Sequence, residues 1–320
     1  MNEKTLPRAY INKRFHSLAG IWLVLFLLEH LVTNSQAALY IGDWGQGFVR
    51  AVNSIHDLPY LQAIEILFLG FPILFHAALG IKYLFTSKFN SFQKGPSQPK
   101  LDKYARNHAF SWQRLTSWVL LVGIVLHIIQ MRFIDYPISM SGGIGQNYYM
   151  VRLEMDPGLY NVSARLQAHL YNSQQIQKER QNLLTHNQKA DNSDGYEPSL
   201  ARDAQEKMMG DLLSSYVEKL SKKELAENQV IAVSQSFGVV SLLTVRQTFK
   251  SPLMITLYTI FVIAACYHAF NGLWTAMISW GVTLTQRSQK VMRYVAVSLT
   301  VGLAGLGLAA IWLTYLVNLR

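Results

Sequence analysis

Four histidines, His30, His76, His127 and His268, lie inside apolar stretches, where an ionisable side chain is costly and is kept for a function by default. Neutral imidazole ligates a metal through one ring nitrogen while the other donates a hydrogen bond. His268 sits in LMITLYTIFVIAACYHAFNGLWTAMISWG with Gly272 four residues on, and His76 and His127 have Gly80 and Gly123 at the same offset. Residues four apart share a helix face, so each glycine offers flat space beside an imidazole, as a planar macrocycle requires. His30 has Phe26 and Asn34 at those offsets and departs from the pattern.

The elements that must position these residues are membrane helices. Half of the 320 residues are hydrophobic and 15% are charged, which places the chain among integral membrane proteins. About 20 apolar residues cross a bilayer core, and five blocks reach that length: roughly Ser17 to Asn34, Leu58 to Phe85, Phe110 to Phe133, Leu253 to Gly281 and Val291 to Val317. None resembles a cleaved signal peptide. The lone Cys266 excludes an intrachain disulfide and a cysteine metal cluster within this subunit.

The formal net charge of +10 is topological, and nucleic acid is not expected as a partner. Lys4, Arg8, Lys13 and Arg14 precede the first block; Lys82, Lys88, Lys94, Lys100, Lys103 and Arg106 surround the second connection; Arg287, Lys290 and Arg293 lie in the fourth. By the positive-inside rule the N-terminus and those connections are cytoplasmic, leaving the C-terminus and the long third connection outside. At about 1.5 Å per residue, His30 then lies roughly 20 Å from the inner end of its helix. His30 and His127 fall in the outer half, His76 and His268 in the inner half. Each pair comes from two different helices, so the expectation is two bis-histidine haems b, one above the other, in a bundle of the first four helices.

Haem propionates favour basic and hydrogen-bonding groups at the membrane faces. Arg114 and His16 are the candidates at the inner face, beside Gln113 and Lys82; Arg50, His56 and Asp57 are the candidates at the outer face for haem or quinone contact. Residues 1–136 form the N-terminus and helices one to three, 137–249 an extracytoplasmic insert, and 250–320 helices four and five. Leucines at three- and four-residue spacing over Arg165 to Leu184 and Leu200 to Leu225 predict a helical insert, partly flexible around Lys189 to Pro198. Ile231 to Val245 is read as an interfacial helix, because a sixth span would turn the Arg287 to Arg293 cluster outward.

The runs RFHSLAGIWLVLFLLEHLVTN, LPYLQAIEILFLGFPILFHAALGIK, WQRLTSWVLLVGIVLHIIQMRF and YHAFNGLWTAMISWGVTLTQRSQ resemble the cytochrome b membrane-anchor subunit of succinate:quinone oxidoreductases, in its single-subunit, five-helix, di-haem form. The resemblance covers about 8–136 and 247–320. It implies His76 with His268 as ligands of the proximal haem and His30 with His127 of the distal one. It also implies a flavoprotein and an iron–sulfur protein as partners, succinate or fumarate chemistry residing in them and no catalytic residue in this chain, and quinone, usually menaquinone, as the electron acceptor. A higher oligomer of the complex and a multi-pass place in the cell (inner) membrane fit the same picture. The insert is the departure from the family, being far longer than the usual connection. Two rivals stay open: the anchor cytochrome b of another quinone-linked dehydrogenase, and a transporter relaying protons through its histidines, although no repeat of the kind transporters carry is visible.

Overall fold

In a bilayer every backbone polar group must be satisfied within its own segment, and the apolar runs accordingly form helices. The computed structural model describes residues 7–39, 43–86, 105–141, 147–191, 211, 214–222 and 224–320. Among the described residues five helices are long and apolar enough to cross a membrane: Arg8–Ala38, Leu61–Thr86, Arg106–Ile134, Pro252–Ser279 and Gln286–Asn318, here called the first to fifth spans. Their starts follow local chemistry. Ser251 caps the fourth by accepting from the Met254 amide, with Pro252 in the first turn, where its missing N–H costs nothing. Thr285 and Ser288 close a reciprocal capping box on the fifth.

Pro72 disturbs the second span as its chemistry demands. It cannot donate to the carbonyl four residues back, that of Phe68, and the helix widens into a π turn over Ile66–Gly70 just before it. The indole Nε1 of Trp22 donates to the Phe68 carbonyl at 2.5 Å, so the first span supplies the hydrogen bond that proline removes.

The first span packs on the second, fourth and fifth, the third packs on the fourth, and the second and third touch only lightly. This arrangement is all-α, with the fifth helix outside the first four. On the fifth span Gly307 permits close packing: an added Cβ would press on Val262 and Leu31. Among the described residues Gly302 and Gly305 face no atom within 4 Å. Phe71, Leu74, Phe85, Val122, Leu126 and Phe133 of the second and third spans are exposed, as a lipid-facing surface is.

The insert corrects the expectation of an all-helical unit. It holds a four-stranded antiparallel sheet of β1 (Ile138–Ser141), β2 (Asn147–Glu154), β3 (His169–Tyr171) and β4 (Gln229–Ser234), in the order β1-β2-β4-β3. Ile231 to Val245 is not one interfacial helix: β4 ends at Ser234, and Ser236 caps a separate buried helix, Phe237–Thr248. The reason is two-sided burial. Val230 and Ala232 of β4 face the core shared with Leu242 and Leu243, whereas Ile231 and Val233 face a second core with Met140, Met150, Ile176 and Leu220. A strand covered on both faces reads as a continuous apolar run, without the alternation that would betray it.

Helices are nonetheless present in the insert. Leu159–Arg165 and Ser173–Asp191 flank β3 where one helix was expected, and residues 214–221 are helical. Most of the second predicted helix, Leu200 to Leu225, and the stretch Lys189 to Pro198 from Asn192 onward, lie outside the described residues.

The sheet and the helix Phe237–Thr248 are fastened to the helix Gln46–His56 that follows the first span. Asn53 Oδ1 accepts from the Gly238 amide at 2.7 Å, and its Nδ2 donates to Ser236 Oγ at 2.9 Å. Gly238 is required at this contact, since any Cβ would strike the Val49 carbonyl oxygen. A second fastening joins the insert to the end of the fifth span. The 1%-exposed guanidinium of Arg246 takes both oxygens of Asp156, at 2.7 and 2.6 Å, and donates through Nε to the Leu319 carbonyl.

Candidate functional site

The four membrane histidines meet in twos. His76 of the second span and His268 of the fourth face each other with ring centroids 6.3 Å apart and planes at 83°. His30 of the first span and His127 of the third do the same at 5.9 Å and 82°. These are the pairs that depth in the sequence suggests. The first pair lies toward the end bearing Arg14 and Arg114, the second toward the insert.

Hydrogen bonds fix which ring nitrogen is free. His76 Nδ1 lies 3.1 Å from the His16 carbonyl, which can only accept, so Nδ1 carries the proton and Nε2 is left bare. His268 Nδ1 lies 3.3 Å from the Gln113 carbonyl and 3.4 Å from the hydroxyls of Thr116 and Ser117. Gln113 is itself held by Asn271, whose Nδ2 donates to its Oε1 at 2.7 Å. At the other pair, His127 Nδ1 is 3.1 Å from the Tyr258 hydroxyl, and the His30 ring stacks on Phe26 at 5.4 Å.

The spacing suits an iron between the rings. A metal–imidazole bond of roughly 2 Å on each side, plus about 1 Å from each nitrogen to its ring centre, gives centroids about 6 Å apart. Among the described residues no three His, Cys, Asp or Glu side chains converge on a metal position. A haem held by either pair would bring its remaining ligands in its own macrocycle. Orphaned polar atoms point the same way: His16 Nδ1 and Trp274 Nε1 are buried without a hydrogen-bond partner among the described residues, and both belong to the end of the bundle occupied by His76 and His268. Such donors fit propionate oxygens.

The glycines do less than their offsets suggest. The site beside Gly123 is taken by the Phe261 ring, which a Cβ would strike, and Gly80 and Gly272 have only His16 and Gln113 nearby. The close approach falls instead to Gly20, where a Cβ would lie 3.0 Å from His76 Cε1.

The remaining candidates separate. His16 stacks on His76 at 4.0 Å and 11°. Arg114 is buried and donates to the Leu84 carbonyl at 2.7 Å, joining the third span to the second. Arg50 is exposed and pairs with Asp43 at 3.0 Å. His56 stacks on Phe237 at 3.8 Å and meets the Tyr149 hydroxyl at 3.1 Å through Nε2. Burial pushes the His56 pKa down, and Arg132 adds to this against the opposing carboxylates of Asp57 and Glu65, so the ring is neutral at pH 7. Burial, with Asp57 and Tyr136, pushes the Tyr149 phenol up and keeps it protonated. Beside them Arg132 pairs with Glu65 at 2.6 Å and lies over the Tyr136 ring at 4.4 Å.

Tyr149, Phe237, Glu65, Arg132, Gln130 and Tyr258 were not singled out from the sequence. For Glu65, Arg132 and Tyr258 the signal existed, since each is a polar group within or at the edge of an apolar block. Tyr149 and Phe237 reach the cluster only through the fold of the insert.

Spans, pairs and orphaned donors together define an all-α multi-pass membrane protein built around two histidine pairs. Along 306 residues the chain is 24% identical to the succinate dehydrogenase cytochrome b558 subunit of Bacillus subtilis (strain 168), covering 95% of this chain and 96% of that relative. This similarity bears out the resemblance to the cytochrome b anchor subunits of succinate dehydrogenase read from the motifs. No family model and no solved structure matches the chain.

Proposed function

We propose that this chain is the membrane-anchoring di-haem cytochrome b subunit of a succinate:quinone oxidoreductase, passing electrons between an iron–sulfur partner and membrane quinone. The observation that carries the reading is the pairing: two sets of facing imidazoles, at 6.3 and 5.9 Å, toward opposite ends of one helix bundle. The similarity to a succinate dehydrogenase subunit over nearly the whole length of both chains supports that enzyme over another quinone-linked dehydrogenase. Bound between the pairs, haem supplies reversible one-electron transfer at each end of the bundle.

The chain's own residues hold and insulate that path. His76 and His268 are ligands at one end, their Nε2 atoms freed by the His16 and Gln113 carbonyls; His30 and His127 are ligands at the other. His16 and Trp274 offer donors for propionates, with Arg114 adding positive charge nearby. The basic residues before the first span and beside the fourth connection put the His76 end on the cytoplasmic side, where flavoprotein and iron–sulfur subunits dock. Quinone is reduced near the insert, with two electrons and two protons taken up per molecule. There His56 and Tyr149 supply a neutral imidazole and a protonated phenol within hydrogen-bond distance, and Asp57, Glu65 and Arg132 surround them. Menaquinone is the expected quinone from the resemblance to the di-haem type. Arg50, exposed and paired with Asp43 at 3.0 Å, is a further candidate for that contact.

Purification of the tagged chain in mild detergent from its own cells tests the reading. A protein with covalent flavin and an iron–sulfur protein should come with it, and the preparation should reduce quinone with succinate. A hydrogenase or formate dehydrogenase in their place would overturn the assignment.

A further inference from the structure

The two histidine pairs differ in what receives the ring proton. His76 and His268 face main-chain carbonyls, which no substitution removes. His127 faces a side chain, and that side chain heads a series. Tyr258 Oη lies 3.1 Å from His127 Nδ1 and donates to Gln130 Oε1 at 3.1 Å. The main-chain carbonyl of Gln130 in turn accepts from the Asp135 amide at 2.8 Å, just past the end of the third span.

An amide oxygen only accepts, so the contact with Gln130 Oε1 fixes the direction of the phenol O–H. The Tyr258 proton is thereby committed to Gln130, and the phenolic oxygen has only lone pairs left for His127. Nδ1 of His127 must then carry its proton, and Nε2 is bare. Phe249 and Phe261 pack edge-on against the Tyr258 ring, with centroids at 5.3 and 6.2 Å, and fix its place.

We infer that Tyr258 is a positioning residue which, oriented by Gln130, sets the tautomer of His127 and makes its imidazole a more basic ligand than a ring without that acceptor. The inference rests on the haem reading above. A more basic imidazole stabilises ferric over ferrous iron, so Tyr258 lowers the potential of the haem at the insert end and leaves the other alone.

The test is a redox-titrated visible spectrum of the purified protein, with haem counted first, for the wild type, Tyr258→Phe and Gln130→Leu. Two low-spin haems are expected in each. In Tyr258→Phe one midpoint moves to higher potential and the other stays, so that at a fixed ambient potential the oxidised fraction of one haem falls severalfold. Gln130→Leu, which leaves the phenol in place but frees its proton, moves the same midpoint upward by less. Unmoved midpoints, a downward shift, or equal shifts of both haems in Tyr258→Phe would overturn the inference. Should that variant shed a haem, Gln130→Leu decides alone, and an unmoved midpoint there would reduce Tyr258 to packing. A wild type without haem would refute the function itself, which the initial count distinguishes.

Discussion

At the end of the bundle bearing Arg14, His76 and His268 face main-chain carbonyls and His16 stacks against the first of them; at the insert end, His127 leans on a phenol and an amide in series. Backbone carbonyls belong to the helices, so the first pair is as rigid as the spans that carry it. Side-chain partners can be exchanged and tuned, and the second pair is the one adjoining the insert, the polar cluster and the proposed quinone contact. Invariance lies where electrons would enter, and adjustable chemistry where they would leave.

The sharpest way to break the comparison is to remove one ligand from each pair. His76→Ala and His127→Ala should each lose or derange one haem and keep the other low-spin, with complementary losses in the reduced spectrum. Two normal haems in both variants would refute the pairing.

Next in size is the fastening of the insert. Arg246→Met leaves Asp156, 8% exposed, with Lys250 at 3.4 Å and the Gly158 amide at 3.1 Å to offset its charge in part, a loss of about 3 kcal/mol, at the lower end for a broken buried pair. Amide exchange should accelerate in β2 and Phe237–Thr248 while the His76 end is unchanged. In the wild type the same pair gives a pH dependence. Burial opposes ionisation of Asp156, but hydrogen bonds and charge from Arg246, with Lys250, outweigh it and hold the carboxyl below its ordinary 3.8. Its stabilisation is present at neutral pH and is lost as pH falls through that lowered value, so exchange in these elements should rise only below about pH 4.

Smaller effects sharpen the contrast between the ends. Gly20→Ala brings a methyl to 3.0 Å from His76 Cε1; overpacking of this kind costs about 1–3 kcal/mol, and the spectral perturbation should be confined to the haem at that end. Tyr149→Phe removes one hydrogen bond to His56, worth about 1 kcal/mol. Quinone reduction should slow roughly fivefold with both haem potentials unmoved.

Much of the bundle was legible in the sequence because hydrocarbon imposes one solution on an apolar run, and because histidines in such runs are scarce enough for depth alone to pair them. The repair of the Pro72 turn by Trp22 was not legible, because it depends on how two helices approach. The sheet was not legible: β4 is buried on both faces and so lacks the period of two, and only the Ser234, Gln235, Ser236 break before Phe237 marked the change from strand to helix. The glycines misled, since an offset of four names a face of a helix without saying what stands opposite it. Phe261 fills the place beside Gly123, and Gly20, at no such offset from a ligand on its own helix, is the one pressed against His76.

The most direct test of the central claim is haem stoichiometry with a redox-titrated visible spectrum on the detergent-purified chain. Two low-spin haems b per polypeptide, reducing in two separate steps, are predicted. A folded chain that binds no haem would contradict the account and turn attention to proton movement through the same four histidines.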